Sequence, residues 1–226
     1  MQITGSDAHH IKQVLRMKPT EQLSIITGDH YLTEAVIETL TEEAITVRAL
    51  HTPQKTVAVP KVILAQGLSK GEKMDLVVQK AVELGVTDIY PLALSRCVVS
   101  YDDKKAQLKC QRWQKIAAEA AKQSKHLLVP TVHPIGRLND FLLHNTARLN
   151  ILAYEEETQT TLKTVLRAAN LDTDTAFIVG AEGGLTPQEA EAAKQYGFQS
   201  VSLGKQILRT ETAPLMLLAA LQYEKN

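Results

Sequence analysis

The spacing of hydrophobic positions changes once along this chain, near residue 60. Before that point, apolar and polar residues alternate in short runs, which is the period of a strand with one buried face. This alternation predicts three strands, at residues 23–27, 31–40 and 44–50. A helix is predicted over residues 8–16, and a turn at Gly28 and Asp29. We therefore expect a small antiparallel β-domain or barrel over residues 1–52.

Beyond residue 60, apolar runs alternate with segments of helical period. Residues 53–60 are bounded by prolines and are predicted to be a linker. Six strands are predicted, at residues 61–66, 86–92, 127–133, 149–154, 177–179 and 198–203. Helices are predicted at residues 74–84, 111–124, 160–169 and 187–196, with a final apolar helix after residue 211. The helix over 111–124 is expected to start one or two turns before residue 111. Strands that alternate with helices indicate an α/β domain, over residues 61–226, with a mostly parallel sheet covered on both faces.

Two helix starts carry capping signals. Ser69 and Glu72 predict a capping box before the first helix of the α/β domain. The second signal is stronger, because Thr186 is followed by Pro187 at the first helical position and by Glu189 at the third. We expect capping boxes at both places.

Composition limits the classes of function. The chain is 44% hydrophobic and 22% charged, as is usual for a soluble globular protein. Its formal net charge is zero, whereas a domain that binds nucleic acid through bulk charge is basic, so an RNA partner would meet a local patch. A polar N-terminus and the lack of a long apolar stretch predict no signal peptide and no membrane span, hence a cytoplasmic protein.

No metal site is expected. Cys97 and Cys110 do not have the spacing of metal ligands, and in a cytoplasmic protein we expect them to be reduced and structural. His9 and His10 are adjacent, so they cannot share one face of a helix.

Two predicted strands end in glycine close together in sequence. The strand at 177–179 runs into Gly180, and the strand at 198–203 runs into Gly204. Ligands of open α/β sheets bind outside the carboxyl ends of the strands, so these ends indicate one pocket. Two ordinary strand-to-helix turns explain the glycines equally well. The phosphate-binding glycine motifs are missing, and Glu182 would repel a phosphate, so a neutral or cationic ligand fits better.

The polar turn before the final helix is the best candidate for chemistry. Arg209 and Glu211 lie beside Thr210 and Thr212, directly before a helix start. Plain capping explains the threonines and the glutamate, but a cation near the positive end of a helix is unfavourable. That mismatch indicates a functional role for Arg209.

Residues 104–126 are the most basic stretch of the chain. A solvated helix face is the usual reason for such a run, but other cations at predicted strand ends make a patch for an anionic polymer plausible. The candidate RNA-binding residues are Lys12, Arg16, Lys70, Lys73, Arg96, Lys122 and Lys125.

Five segments together resemble the RsmE family of ribosomal RNA methyltransferases, within the SPOUT superfamily. They read DAHHIKQVLRMK, KGEKMDLVVQKAVELGVTDIYPL, RWQKIAAEAAKQS, GAEGGLTPQE and LGKQILRTETAPLMLLAAL, and they cover nearly the whole chain in order. The resemblance implies a PUA-like β-barrel over residues 1–52 and a SPOUT α/β domain with a deep trefoil knot over residues 61–226. It also implies a homodimer that binds S-adenosyl-L-methionine in the knot.

The reaction implied by the resemblance is methylation of N3 of one uridine in 16S rRNA of the small ribosomal subunit (U1498 in the usual rRNA numbering). The cofactor-binding residues carried over are Gly180, Glu182, Gly183, Leu203, Gly204, Ile207, Leu208 and Arg209, with Tyr154 and Glu155 as further contributors. Arg209 would stabilise negative charge on the base or orient the cofactor carboxylate, and Glu211 or Glu182 would accept the N3 proton.

The chain departs from the family pattern at four places. Ala181 stands where proline is usual, Gln206 stands where arginine is common, and Lys125 and His126 follow a Gln-Ser pair that an arginine often follows. The family also has an arginine-bearing strand before the position of Met1, so we expect a shortened or differently annotated start that affects RNA contacts more than the cofactor site.

Other readings of the sequence remain open. One is a knotted RNA methyltransferase that acts on a ribose 2′-hydroxyl or on another base. A second is a non-catalytic RNA-binding module that has kept the fold. A third is a generic nucleotide-binding α/β enzyme, which the missing phosphate motifs disfavour.

Overall fold

A computed structural model describes residues 1–27, 31–55, 60–126 and 128–225. The chain divides into two compact units, Met1–Ala58 and Val59–Asn226. The predicted domain limits, at residues 1–52 and 61–226, stay a prediction. The predicted turn at Gly28 and Asp29 lies outside the described residues, as do residues 56–59 of the predicted linker.

The first unit contains an antiparallel sheet and one short helix. Its strands are β1 (Gln2–Thr4), β2 (Gln22–Ile26), β3 (Tyr31–Leu40), β4 (Ala44–Ala49) and β5 (Gln54–Lys55). The strand order is β1-β4-β3-β2, and β5 pairs with the first residues of β3. Helix α1 (Gly5–His9) continues as a π-helical segment, His10–Val14.

Alternation in the sequence accounts for the core of this unit. Ala35 and Ile37 of β3 and Ile45 and Val47 of β4 are buried, and they pack with Ile11 of the helical segment. The helix and the three strands predicted from the pattern are confirmed. Strands β1 and β5 are too short to show an alternation, so the pattern could not predict them.

The second unit is built on a six-stranded parallel sheet. Its strands are β6 (Val62–Gly67), β7 (Asp88–Leu92), β8 (Thr131–Val132), β9 (Leu149–Ala153), β10 (Thr175–Val179) and β11 (Gln199–Val201). The order is β11-β9-β10-β6-β7-β8, and each neighbouring pair is parallel. The helices are α2 (Lys73–Glu83), α3 (Asp103–Gln123), α4 (Leu138–His144), α5 (Leu162–Ala168), α6 (Pro187–Gln195) and α7 (Ala213–Lys225).

Both faces of the sheet are covered, which is why its central strands read as continuous apolar runs. Phe177 of β10 packs on one face with Trp113 of α3 and Leu217 of α7. Ile178, the next residue, packs on the opposite face with Phe141 of α4. The prediction of a mostly parallel sheet covered on both sides is confirmed.

One predicted capping box is confirmed and the other is wrong. Thr186 Oγ1 accepts from the Glu189 amide at 3.2 Å, and Glu189 Oε2 accepts from the Thr186 amide at 2.8 Å. Helix α2 instead begins at Lys73, after an N-cap at Glu72 that makes no side-chain cap hydrogen bond. The sequence Ser69 to Glu72 has the right residue types, but the glycine at 71 has φ +66° and delays the helix start.

Helix α3 begins at Asp103, about two turns before Gln111 as expected, because Asp102 caps it by accepting from the Lys105 amide. The strand expected over residues 127–133 is only Thr131–Val132, since Pro130 cannot donate to a ladder; Leu127 lies outside the described residues. Helix α4 was not predicted.

Within the described residues, no helix is long and apolar enough to cross a membrane. Those residues also contain no group of three or more His, Cys, Asp or Glu side chains arranged to hold a metal ion.

Strands β6 and β10 end in very close backbone contact. A Cβ atom built on Gly67, the last residue of β6, would lie 2.7 Å from the Gly180 carbonyl carbon and 2.8 Å from Leu94 Cδ1. Real Cβ atoms do not approach backbone so closely, so glycine is required where β6 passes the segment after β10.

We expect Gly67→Ala to destabilise the protein by about 1–3 kcal/mol, because the added methyl group has to push backbone rather than a flexible side chain. Gly136→Ala is the matched control, since its Cβ would meet only Pro134 O at 4.0 Å. Thermal denaturation measures both changes. Equal melting temperatures for the two variants would contradict the close-contact argument.

Candidate functional site

A cavity of about 570 Å³ lies at the carboxyl ends of strands β9, β10 and β11. Its wall consists of three segments, residues 153–155, 179–184 and 201–211, together with Lys73 and Ala213. The two glycine-bearing strand ends predicted to form one pocket are therefore brought together, and a third strand end, that of β9, joins them.

The loop after β10 folds back on itself tightly. The Gly184 amide donates to Ala181 O at 3.0 Å, and Gly184 has φ +71°. A Cβ on Gly180 would lie 2.8 Å from the Gly184 carbonyl carbon. Gly180 and Gly184 thus allow a turn that other residues would not, and they keep the backbone of this loop open to a ligand.

Arg96 holds this loop from the side opposite the turn. Its Nη1 donates to Gly183 O at 3.2 Å and to Leu185 O at 3.0 Å. The neighbouring Ser95 amide donates to Glu189 Oε1 at 2.8 Å. Burial raises the pKa of Glu189, but the hydrogen bonds from Ser95 and Thr186 outweigh it, and the net pKa lies below the usual value. The segment after β7 is therefore tied to the glycine loop and to helix α6.

A buried hydrogen-bond network lies behind the cavity. Gln66 Nε2 donates to Thr210 Oγ1 at 3.0 Å, to Gly180 O at 3.3 Å and to Gly67 O at 3.1 Å. Thr210 Oγ1 in turn donates to Gly180 O at 2.7 Å. Gln66 has no exposed surface and Thr210 is only 7% exposed. The network joins strand β6, the glycine loop and the turn before α7.

The turn before α7 forms the mouth of the cavity. Gly204 begins it with φ +120°, a backbone conformation that favours glycine. Ile207 is 87% exposed although it is apolar, and Arg209 has a side chain that is 83% exposed. Ile207 and Arg209, which precede the buried Thr210, thus point their side chains out of the core.

Lys73 lies between two carboxylates at the cavity wall. Its Nζ is 3.3 Å from Glu182 Oε1 and 3.7 Å from Glu211 Oε2. Glu211 Oε1 is also 4.0 Å from Arg209 Nη1. Burial raises the pKa of Glu182, but hydrogen bonds from the Lys70 amide and from Lys73 outweigh it and hold the pKa below the usual value. The wall therefore carries an ionised carboxylate at Glu182, which suits a cationic ligand better than a phosphate.

The end of β9 forms the remaining side of the cavity. Tyr154 donates its hydroxyl hydrogen to Glu156 Oε2 at 2.9 Å. The Glu155 carboxylate packs against Gly184, where a Cβ would be 3.0 Å from Glu155 Cδ. Glu157 accepts from Ser200 Oγ at 2.6 Å and from the Thr160 and Gln159 amides. These donors lower the pKa of Glu157 to about 2, so its carboxylate ties the β9 loop to β11 across the neutral pH range.

Three of the candidate RNA-binding cations contact the glycine loop, since the Lys70 amide and the Lys73 ammonium both bind Glu182 and Arg96 binds Gly183 O. Lys12, in the first unit, donates from Nζ to Thr41 O at 2.8 Å and to Glu42 O at 2.6 Å. The others are at exposed positions or in turns, namely Arg16 (φ +53°), Lys122, which is 3.6 Å from Glu119 Oε1, and Lys125 (φ +56°).

Sequence reasoning missed the buried residues behind the site. Gln66 had a visible signal, because it is the one amide in the otherwise apolar run of residues 62–66 and stands at the carboxyl end of a strand. Thr210 was read as a possible N-cap, whereas its hydroxyl binds Gly180 O and Gln66. Arg96, a candidate RNA contact, binds the loop carbonyls of Gly183 and Leu185. Nothing in the local sequence identifies the partners of the Thr210 and Arg96 side chains.

Family comparisons agree with the two-unit architecture. Residues 57–222 match the RNA methyltransferase domain family, and residues 3–50 match the RNA methyltransferase PUA domain family. The first unit is therefore PUA-like, as the resemblance implied.

Curated relatives span nearly the whole chain. Ribosomal RNA small subunit methyltransferase E of Bacillus subtilis (strain 168) is 33% identical over 98% of this chain and 89% of its own length. The protein of the same name from Synechocystis is 31% identical over 96% of this chain and 71% of its own length.

Two solved structures are similar along almost all of the chain. One is a putative methyltransferase from Legionella pneumophila in complex with the bound cofactor SAM. The other is ribosomal RNA small subunit methyltransferase E from Neisseria gonorrhoeae bound to S-adenosyl methionine. Each is 32% identical, with a TM-score of 0.83, and the match covers 99% of this chain and 91% of the other.

We expect Thr210→Val to lower the melting temperature by about 4–8 °C, because two buried polar groups lose a partner while the shape of the side chain is kept. Thr210→Ser is the control, since it keeps the hydroxyl group. The comparison is made by thermal denaturation. A valine variant as stable as the serine variant would show that the buried hydroxyl does not hold the turn.

Proposed function

The chain belongs to the RNA methyltransferase family whose curated members are named ribosomal RNA small subunit methyltransferase E, and from this premise we propose that it transfers a methyl group from S-adenosyl-L-methionine to 16S rRNA. The observation that carries the proposal is the cavity at the carboxyl ends of β9, β10 and β11. Two relatives that are similar along the whole chain hold that cofactor in their solved structures.

The residues of the cavity fit this cofactor. Its volume, about 570 Å³, is in the range of pockets for ligands of that size. The glycine loop leaves backbone accessible where side chains would fill the space. Glu182 and Glu211 each have a buried Oε2 with no hydrogen-bond partner among the described residues, and such carboxylates favour a ligand with a sulfonium and an ammonium group. We assign cofactor binding to Gly180, Glu182, Gly183, Leu203, Gly204, Ile207, Leu208 and Arg209, with Tyr154 and Glu155 contributing.

The acceptor atom we propose is N3 of one uridine in 16S rRNA, U1498 in the usual rRNA numbering. When bound, the cofactor supplies a methyl group already activated on a sulfonium, so the chain needs no metal for this chemistry. Arg209, largely exposed at the cavity mouth, stabilises negative charge on the uracil ring or orients the cofactor carboxylate. Glu211 lies at the same mouth and accepts the N3 proton. The target base has to leave its stack to reach this position.

The remaining RNA contacts are proposed on charge. Lys12 and Arg16 lie on the PUA-like unit, and Lys70, Lys122 and Lys125 are on the methyltransferase unit. We propose that Arg96 and Lys73 act within the site rather than on RNA. The Arg96 guanidinium already binds a protein carbonyl, and the Lys73 ammonium already binds a carboxylate. The enzyme works on the small ribosomal subunit in the cytoplasm.

Two competing functions remain testable. A ribose 2′-hydroxyl or another base as the acceptor would keep the cavity and change the modified atom. A non-catalytic RNA-binding module would have no need of the open glycine loop, and its cavity would fail to bind the cofactor.

The SPOUT assignment, the deep trefoil knot and the β-barrel closure of the first unit are proposals from the family resemblance. The homodimer is a further proposal, and helix α7 supports it. Leu217, Leu218 and Leu221 are buried, but Met216 and Tyr223 of the same helix are exposed by 41% and 79%.

The function is tested by transfer of labelled methyl from S-adenosyl-L-methionine to small ribosomal subunits that lack the modification, followed by mapping of the labelled atom. We expect label on N3 of one 16S rRNA uridine. Arg209→Ala is expected to lower turnover by about 10²–10³-fold, as removal of a charge-stabilising donor does. Arg167→Ala is the control, because Arg167 pairs with Glu224 outside the cavity.

Normal turnover by Arg209→Ala would exclude a catalytic role for this arginine. Label on a ribose oxygen would support the first competing function. A wild-type protein that binds no cofactor would overturn the assignment as an enzyme.

For the homodimer, we expect a sedimentation mass of about twice the 24.9 kDa of one chain. Met216→Glu should lower that mass toward one chain, because a charge would be buried at the proposed interface. A single-chain mass for the unmodified protein would refute the dimer.

A further inference from the structure

Three charged side chains from distant parts of the chain meet at the cavity wall. Lys73 comes from the start of α2, Glu182 from the glycine loop, and Glu211 from the turn before α7. The Lys73 ammonium is 3.3 Å from one carboxylate and 3.7 Å from the other. One cation therefore holds together two acids that would otherwise repel each other.

The position of Lys73 is unfavourable for its own helix. It is the first residue of α2, where the helix dipole is positive and an acidic residue is preferred. Only about a third of its side chain is exposed, so it is not simply a solvated lysine. Helix stability does not explain a lysine here, whereas the two carboxylates do.

The two carboxylates have different surroundings. Glu182 Oε1 accepts both from the Lys70 amide, at 3.1 Å, and from Lys73 Nζ, so this side chain is fixed in place. Glu211 has no such hydrogen bond. Its Oε2 is buried and lacks a hydrogen-bond donor among the described residues, and the guanidinium of Arg209 is 4.0 Å from its other oxygen. Of the two acids, Glu211 is the one that can take up a proton without losing a hydrogen bond.

We propose that Lys73 is a positioning residue for methyl transfer, which holds Glu182 as a fixed anion and holds the Glu211 carboxylate at the cavity wall, where this carboxylate receives the proton of the acceptor. This inference rests on the proposed function. As the bond from uridine N3 to the methyl carbon forms, the bond from sulfur to that carbon breaks and the N3 proton moves to Glu211. The charge of the group Lys73, Glu182 and Glu211 changes from −1 to 0, and the proton leaves to solvent after product release.

Other charged or titratable groups also face this pair. Lys70 and Lys73 lie on the α2 side, Arg209 lies on the turn before α7, and the side chains whose ionisation Glu182 opposes are Tyr101 and Cys97. Lys73 is the one cation among them whose charged group lies within 4 Å of both carboxylates. Its removal should therefore change the ionisation of Glu211 more than the removal of any of the others.

The alternative role for Lys73 is a contact to an RNA phosphate. Two carboxylates already surround its ammonium, and the three side chains together carry a net negative charge, which opposes a phosphate. The two roles differ in what they control. A phosphate contact changes the KM for RNA and its salt dependence, whereas a positioning role changes the pH dependence of the chemical step.

The test is the pH profile of single-turnover methyl transfer, with cofactor and ribosomal subunits saturating. For Lys73→Met, and for Lys73→Gln as a second neutral variant, we expect the acidic limb to move up by about one pH unit, because loss of the cation makes the Glu211 carboxylate easier to protonate. The rate on that limb then falls about tenfold. Lys73→Arg keeps the positive charge. Its acidic limb should therefore lie within about 0.3 pH unit of that of the unmodified protein.

Two further variants complete the design. Lys80→Met is the matched control, because Lys80 lies on the same helix and pairs with Glu83. Its profile should be that of the unmodified protein. For Glu211→Gln we expect a pH profile without an acidic limb, because the carboxylate that takes up the N3 proton is then missing. Thermal denaturation and cofactor binding are measured for each variant, so that loss of the fold or of the cofactor is recognised separately.

An unshifted limb in both neutral variants, with only the KM for RNA raised, would overturn the proposal and assign Lys73 to phosphate binding. A limb that survives in Glu211→Gln would overturn the role of Glu211. Failure of the proposed function has a different signature, because the unmodified protein itself would then transfer no methyl group to the RNA.

Discussion

The buried side chain of Gln66 is the contact on which the candidate site depends. Its amide donates to Thr210 Oγ1 and to Gly180 O, and Thr210 donates to the same carbonyl at 2.7 Å. Three segments far apart in sequence thereby acquire fixed positions at one edge of the sheet. Loss of one of these hydrogen bonds would leave a buried polar group without that partner, at a cost of about 1–3 kcal/mol. The close backbone contact at Gly67 follows from the same arrangement.

In this arrangement, the buried residues that hold the site in place are distinct from the residues that line the cavity. Thr210 is 7% exposed, whereas the side chain of Arg209, the preceding residue, is 83% exposed. Glu211, the next residue, reaches Lys73 on the cavity wall. One residue of the turn is thus anchored in the core, and its two neighbours line the cavity. Lys73 offsets part of the negative charge of the two carboxylates that it contacts, Glu182 and Glu211.

The sequence was sufficient for the parts of the fold that local patterns determine. The continuous apolar run into Gly180 predicts a strand buried on both faces, and Thr186, Pro187 and Glu189 predict a helix start that the structure confirms. The pairing of the two glycine ends in one pocket also followed from the rule for parallel sheets. Strand order and the hydrogen bonds of Gln66 could not be predicted, because each depends on contacts more than a hundred residues apart or on a chain path that local periodicity does not contain.

The same dependence on distant contacts explains why the roles of the charged side chains could not be predicted from the sequence. From sequence alone, Arg96 and Lys73 are two of many cations, and a basic surface is the natural interpretation. Tertiary contacts assign each a different partner, since Arg96 binds the carbonyls of Gly183 and Leu185, and Lys73 binds Glu182. A cation that satisfies buried acceptors contributes to the shape of a pocket, and only the remaining exposed cations can attract a polyanion. The capacity of such a chain to hold RNA therefore depends on which of its lysines and arginines the fold has not already used.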